Sequence, residues 1–287
     1  MEFSIIIGYI AVVLAMIFGI VLGQDGIDFA LMSNFINGPS IFIVLGGVSF
    51  ALLASFPLST FKQIPKQMRM IFGKDKKDPN EYIEIITELS KVARKKGLLS
   101  LEEKANGFED EFLKEIVLLI VDAVEPDKLR SWFDQKLHYL ERRNAEERKF
   151  YELGATLGPA FGMLGTLIGL VNMLKAMSLD GGAETLGANM SVALITTFYG
   201  SMLANCFFTP LNNKLEIAQE RELLYKEMII EGAISIKQGE SPKNIREKLQ
   251  NFLAEHEIAT LDADGERGRE KPKKFKIDKR DLKESQV

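Results

Sequence analysis

Uncharged oxygen atoms are the chemistry that the apolar part of this chain can offer. Thr166, Thr196 and Thr197, with Asn172 and Asn205, sit in long runs that contain no Asp, Glu, His, Lys or Arg. A hydroxyl or carboxamide can solvate a cation or a water molecule, but it cannot take up and release a proton near neutral pH. Two roles are open to the threonines. Each can bond a carbonyl of its own helix, or it can line an ion or water path beside a seam of small residues. Small residues are abundant at this place. In Leu153–Leu174 (LGATLGPAFGMLGTLIGLVNML), Gly154, Gly158, Gly162, Gly165 and Gly169 share one narrow helical stripe at about 100° per residue. Asn172 lies on that stripe, and Pro159 and Thr166 sit at its edge. Lipid tails make no use of glycine, so the stripe admits another helix at close range, whether for packing alone or to build a site. Ala193, Thr197, Gly200 and Ala204 form a second small-residue face within Leu186–Leu211, with Thr196 beside it. The two helices either meet or line the same seam.

Other chemistries are missing. The sequence has no Walker motif, nucleophile elbow, dinucleotide-binding glycine turn or metal-ligand cluster, which argues against an enzyme, a bound cofactor or a metal site. No Lys-Ser/Thr pair closes the glycine run, so it is not a phosphate loop. His138 and His256 lie far apart and are expected to be structural, and the single cysteine, Cys206, rules out a disulfide framework. A net charge of −4 argues against nucleic acid as a partner.

The mean hydropathy is near zero because strongly apolar blocks are averaged with a strongly charged remainder. Phe3–Gly23 is the first apolar run; with no basic flank and no small-residue cleavage site, it reads as a retained transmembrane helix. A polar turn over Gln24–Asn37 leads to a second helix from Pro39 to Phe56, which ends at Pro57. From Leu58 to Phe72, the apolar Leu58, Phe61, Met68 and Phe72 share a stripe while Lys62, Lys66 and Arg69 take another face. That pattern fits a helix at a headgroup surface or an ordinary amphipathic helix of a soluble part. Amphipathic helices follow over Glu81–Leu98 and, in two pieces, Leu101–Val124. The run that opens at Glu125-Pro126 meets no Gly or Pro before Gly154, so one helix is expected to pass straight into the third apolar run. Basic residues avoid both short connections between apolar runs and gather at the other ends (Lys62, Lys66, Arg69, Arg142, Arg143, Arg148, Lys149, Lys214), which places both termini and the middle segment in the cytoplasm. The expected fold is therefore all-α, a polytopic membrane protein with four transmembrane helices and a helical cytoplasmic domain. Its expected parts are helices one and two (1–57), a cytoplasmic domain with the interfacial helix (58–150), helices three and four (151–211), cytoplasmic helices (212–260) and a charged, disordered tail (261–287).

The segments GPAFGMLGTLIGLVNML and NMSVALITTFYGSMLANCFFTPLNNKL, joined by a short acidic turn, resemble the third and fourth helices of the MotA/PomA family, the larger stator subunits of the bacterial flagellar motor. The likeness extends over the chain to about Lys248 and includes the two-plus-two helix order. It implies a homo-oligomeric ring, a pentamer around a dimer of a MotB/PomB-like partner whose single membrane helix carries the ion-binding aspartate. The implied location is the bacterial cytoplasmic membrane, and the implied cargo is a proton or a sodium ion. Thr166 and Thr197 match hydroxyls of the family's ion path, and Pro159 and Pro210 match prolines linked to conformational coupling. In RKKGLLSLE, Arg94 and Glu102 match charged residues that meet the rotor protein FliG. Gly158, Gly162, Gly165, Gly169, Ala193 and Gly200 are expected to pack against the partner helix. A three-helix ExbB/TolQ-type energiser and a non-conducting membrane scaffold are the alternatives; the N-terminal hairpin disfavours the first.

Overall fold

The computed structural model describes residues 3–23, 26–73, 79–108, 110–122, 125–178 and 182–253. Helices α1 (Phe3–Val21), α2 (Gly38–Ile41), α3 (Gly47–Ser55) and α4 (Leu58–Phe72) come first. Helices α5 (Pro79–Lys96), α6 (Ser100–Ala105), α7 (Glu111–Val121) and α8 (Pro126–Ser178) follow, then α9 (Ala183–Met202), α10 (Thr209–Lys237) and α11 (Pro242–Gln250). Met1–Asp75 and Arg142–Glu220 form one compact unit, and Lys76–Glu141 and Arg221–Val287 form another. The fold is all-α apart from a two-residue antiparallel pair, β1 (Leu22–Gly23) with β2 (Gly26–Ile27).

In the first unit, the polar connection expected as a plain turn carries structure of its own. A 3-10 helix spans Phe29–Phe35, and Asp28 accepts the Ala30 N–H at 2.8 Å to start it. Asn37 accepts the Ser40 N–H at 3.0 Å and caps α2, with Pro39 in the first turn where its missing N–H leaves no carbonyl unpaired. Between α2 and α3 the backbone widens into a π-helical turn, Phe42–Gly46, and a second one, Leu203–Phe208, joins α9 to α10. Pro210 follows the second turn after Thr209. Its ring would press on the carbonyl of Cys206 in a regular helix, and a wider turn relieves that clash. Thr209 accordingly donates back to Ala204, five residues away. Among the described residues, Gly38–Ser55, Pro126–Ser178 and Ala183–Lys237 contain stretches long and apolar enough to cross a membrane, and Ile7–Val21 is a shorter apolar stretch.

The second unit is built on α5, α6, α7 and α11 with the first part of α8 and the last part of α10. Ile83, Ile86, Leu101, Ile116, Phe133, Met228, Ile245 and Leu249 are almost wholly buried in one core. Each buried aliphatic side chain of this size contributes about 1.5–3 kcal/mol. A Cβ on Gly232 would lie 2.7 Å from Ile86, so a glycine is needed where α10 passes α5. Gly97, at φ +84°, ends α5 by donating to the Ala93 carbonyl at 2.9 Å. Lys237 closes the end of α7, its ammonium donating to the carbonyls of Ile120 at 3.2 Å and Asp122 at 2.5 Å. Burial pushes the Lys237 pKa below its ordinary value, and the Asp122 carboxylate opposes that shift. Of the two histidines, His138 is exposed, and His256, like the tail at 261–287, lies outside the described residues.

Candidate ion path and rotor-facing surface

The glycine stripe of α8 and the small-residue face of α9 fill one another. A Cβ on Gly158 would stand 2.7 Å from the Gly200 carbonyl oxygen, and one on Gly169 would stand 2.7 Å from the Ala193 Cβ. On Gly162 it would meet the Thr197 Cα at 3.2 Å, and on Gly165 it would run into the Thr196 side chain. Gly200 has the same relation to the Gly158 carbonyl. Gly158, Gly162, Gly165, Gly169, Ala193 and Gly200, expected to pack against a partner helix, face the neighbouring helix of the same chain. Backbones this close leave no groove between α8 and α9 for a third helix.

The closeness has a chemical consequence at the edge of the seam. The Thr166 and Thr197 hydroxyl oxygens lie 2.6 Å apart. Thr166 can also donate to the Gly162 carbonyl at 3.1 Å or across the seam to the Ala193 carbonyl at 3.0 Å. Thr197 reaches the Ala193 carbonyl at 3.4 Å, so its better acceptor is Thr166. With one proton per hydroxyl, the arrangement that uses the shorter contacts has Thr197 donating to Thr166 and Thr166 donating to a backbone carbonyl. The Thr197 oxygen then keeps its lone pairs free, and Thr197 is exposed. Thr196, its neighbour in sequence, is fully buried and donates to the carbonyls of Val192 (2.9 Å) or Ala193 (3.0 Å), so its role is packing. Asn205 donates to the Ser201 carbonyl of its own helix at 3.0 Å, and Asn172 is exposed.

Pro159 is exposed and α8 runs through it unbroken. Having no N–H, it leaves the carbonyl of Ala155 without its helical donor. Pro210 is half-buried at the π-helical turn. Sequence reasoning missed the turn, although Pro210 supplies a cause for it. Also missed is a buried polar chain in the same unit. Tyr151 donates to Gln67 at 2.8 Å, and Gln67 and Gln219 both reach Glu147, at 3.3 and 3.4 Å. Arg148 donates to Gln219 at 2.9 Å. A signal for it existed: Gln67 falls on the apolar side of α4 beside Met68 and between Ile64 and Ile71.

Arg94 and Glu102 belong to the second unit, and both are exposed. Arg94 is in the last turn of α5 and Glu102 in the first turn of α6, each where the helix dipole favours its sign. The positive φ of Gly97 turns the chain between them. Neither enters an ion pair among the described residues, whereas nearby Lys104 pairs with Glu88 at 3.1 Å. Both charges are therefore available to another molecule.

The chain is helical, with stretches long and apolar enough to cross a membrane and a hydroxyl pair at the edge of a small-residue seam. The model of the MotA/TolQ/ExbB proton channel family matches residues 104–228. Motility protein A of Borreliella burgdorferi is 38% identical, over 78% of this chain and 85% of that protein. Motility protein A of Treponema phagedenis is 33% identical, over 92% of this chain and 98% of that protein. The flagellar MotAB stator complex from Bacillus subtilis includes a chain that superposes with a TM-score of 0.79 at 29% identity, covering 89% of this chain and 98% of that one. The chain belongs to the MotA/TolQ/ExbB proton channel family, on its motility protein A side.

Proposed function

We infer that this chain is the A-type subunit of a flagellar stator, which couples ion flow across the bacterial cytoplasmic membrane to rotation of the flagellum. The observation that carries the ion-path assignment is the 2.6 Å contact between Thr166 and Thr197, which leaves one exposed hydroxyl oxygen free beside a closed helical seam. α1, α2–α3, the apolar part of α8 and α9 through Pro210 are the four spans. The 19 residues of α1 extend about 28 Å at 1.5 Å each, close to a bilayer core of about 30 Å. Both termini and the second unit are cytoplasmic by the placement of Lys and Arg, and the charged segment 261–287 is a cytoplasmic tail.

Pro159, Met163, Thr166 and Leu170 on α8 and Leu194, Thr197 and Ser201 on α9 follow one another at helical spacing along the open edge of the seam. A MotB/PomB-like helix lies along this edge and brings the carboxylate that the chain lacks. The chain assembles as a ring, a pentamer around a dimer of that partner. Pro159 and Pro210 mark the points where the spans yield as the ring moves, and Arg94 and Glu102 meet FliG. The cargo is a proton or sodium ion; no cofactor, metal, nucleic acid or enzymatic step takes part. Thr197→Val keeps the side chain's shape and removes the hydroxyl, so ion flux through the assembled complex should fall by about tenfold, the equivalent of one lost hydrogen bond. Full flux in that variant, with normal partner co-purification, would remove Thr197 from the path. Swimming speed measured against external sodium at fixed pH identifies the ion.

A further inference from the structure

Helix α4 follows the second apolar helix after Phe56 and Pro57, and its inner face is already occupied. The Phe61 ring centroid lies 5.4 Å from that of Phe150, Gln67 accepts from the Tyr151 hydroxyl, and Ile71 is buried in the same cluster. These contacts hold α4 beside the ends of the apolar stretches of α3, α8 and α9–α10 that share this cluster. The outer face is basic. Lys62, Lys66 and Arg69 are all exposed, and none forms an ion pair or hydrogen bond among the described residues. No Asp or Glu occurs anywhere in α4, although the chain as a whole carries a net charge of −4. Like charges four apart on a helix repel, so this stripe is suited to an external anion.

The edge of the stripe shows what kind of anion. Leu58 and Phe72, both exposed, fall beside the three cations within an arc of about 120° at 100° per residue. Apolar side chains that flank a basic row at a membrane boundary enter the acyl region while the cations reach headgroups. Contacts to the cations alone would leave Leu58 and Phe72 in water, whereas a lipid surface takes up both kinds of side chain. We propose that the outer face of α4 binds the phosphate headgroups of anionic phospholipids through Lys62, Lys66 and Arg69.

The proposal rests on the membrane reading given under Proposed function, but its test needs neither partner nor ion flow. The full chain, purified in detergent, is offered equimolar phosphatidylglycerol and phosphatidylcholine, and the retained lipid is read by native mass spectrometry. The wild type should select phosphatidylglycerol. K62Q/K66Q/R69Q should lose affinity for it by roughly a hundredfold, at about fivefold per juxtamembrane cation, and K66Q alone by about fivefold. K62R/K66R/R69K should keep it, and an unchanged thermal midpoint in every variant shows that folding is intact. Equal phosphatidylglycerol selection by wild type and the triple glutamine variant overturns the proposal. So does loss of self-assembly in lipid-free detergent with lipid selection unchanged, which would assign the stripe to a protein neighbour. A chain that selects the lipid but cannot support swimming would sink the stator reading and leave this proposal standing.

Discussion

A hydroxyl donates one proton and can accept two, and this asymmetry separates the three seam threonines. Thr196 spends its proton on a carbonyl of its own helix in a fully buried place, so Thr196→Val should lower stability by about 1 kcal/mol and leave flux per assembled complex unchanged. Thr197→Val should show the reverse, reduced flux at nearly unchanged stability. Thermal melts and vesicle flux on the same two preparations distinguish the cases. Glu227 makes a pH-dependent contribution of its own. Glu227 is exposed, yet partial desolvation raises its pKa above the ordinary value, and the Glu141 and Asp134 carboxylates raise it further. Folding therefore favours its protonated form, and this group's contribution worsens as pH rises from the unfolded value, near 4.5, through the raised folded one. Glu227→Gln should melt higher than the wild type at pH 7, and the gap should close as pH falls through that window. A gap that widens in acid would show that the carboxylate is stabilised by its surroundings.

At the scale of elements, the α8–α9 seam behaves as one close-packed unit. Gly165→Leu would drive a large side chain into Thr196, cost on the order of 1–3 kcal/mol or more, and part the Thr166–Thr197 contact. The expected result is a lower thermal midpoint of the chain by itself, measured without any partner. A normal midpoint would mean that the helices do not approach at Gly165. The glycine stripe was legible because 3.6-residue periodicity exposes it, but a face that meets its own neighbour and a face that meets a partner have the same pattern. Apolar runs were legible for a simpler reason, since an uncharged stretch of this length has few other uses. The π-helical turns arise from hydrogen-bond register and leave no residue signature, although Pro210 gave a reason for the second. Gln67 was legible in principle, as a polar side chain on an apolar stripe. Arg94 and Glu102 were visible only through resemblance, because exposed charges at helix ends follow from dipole placement alone.

For the whole molecule, the proposed stator action has charge entering from a partner and force leaving through exposed charges. An exposed ion pair contributes about 0–1 kcal/mol, which suits contacts that form and break at each step. Reversing Arg94 and Glu102 together should abolish or sharply reduce torque in tethered cells while the ring still assembles, and matching reversal on FliG should partly restore it. Unchanged swimming would take both residues out of the contact. This chain is proposed to shape an ion path that it does not operate alone, since its four apolar runs contain no Asp, Glu, His, Lys or Arg. The decisive experiment compares ion flux into sealed vesicles between this chain alone and the chain with its MotB/PomB-like partner. The chain alone should conduct nothing above lipid background and the complex should conduct. Flux through the chain alone at the rate of the complex would rule out a partner-supplied carboxylate.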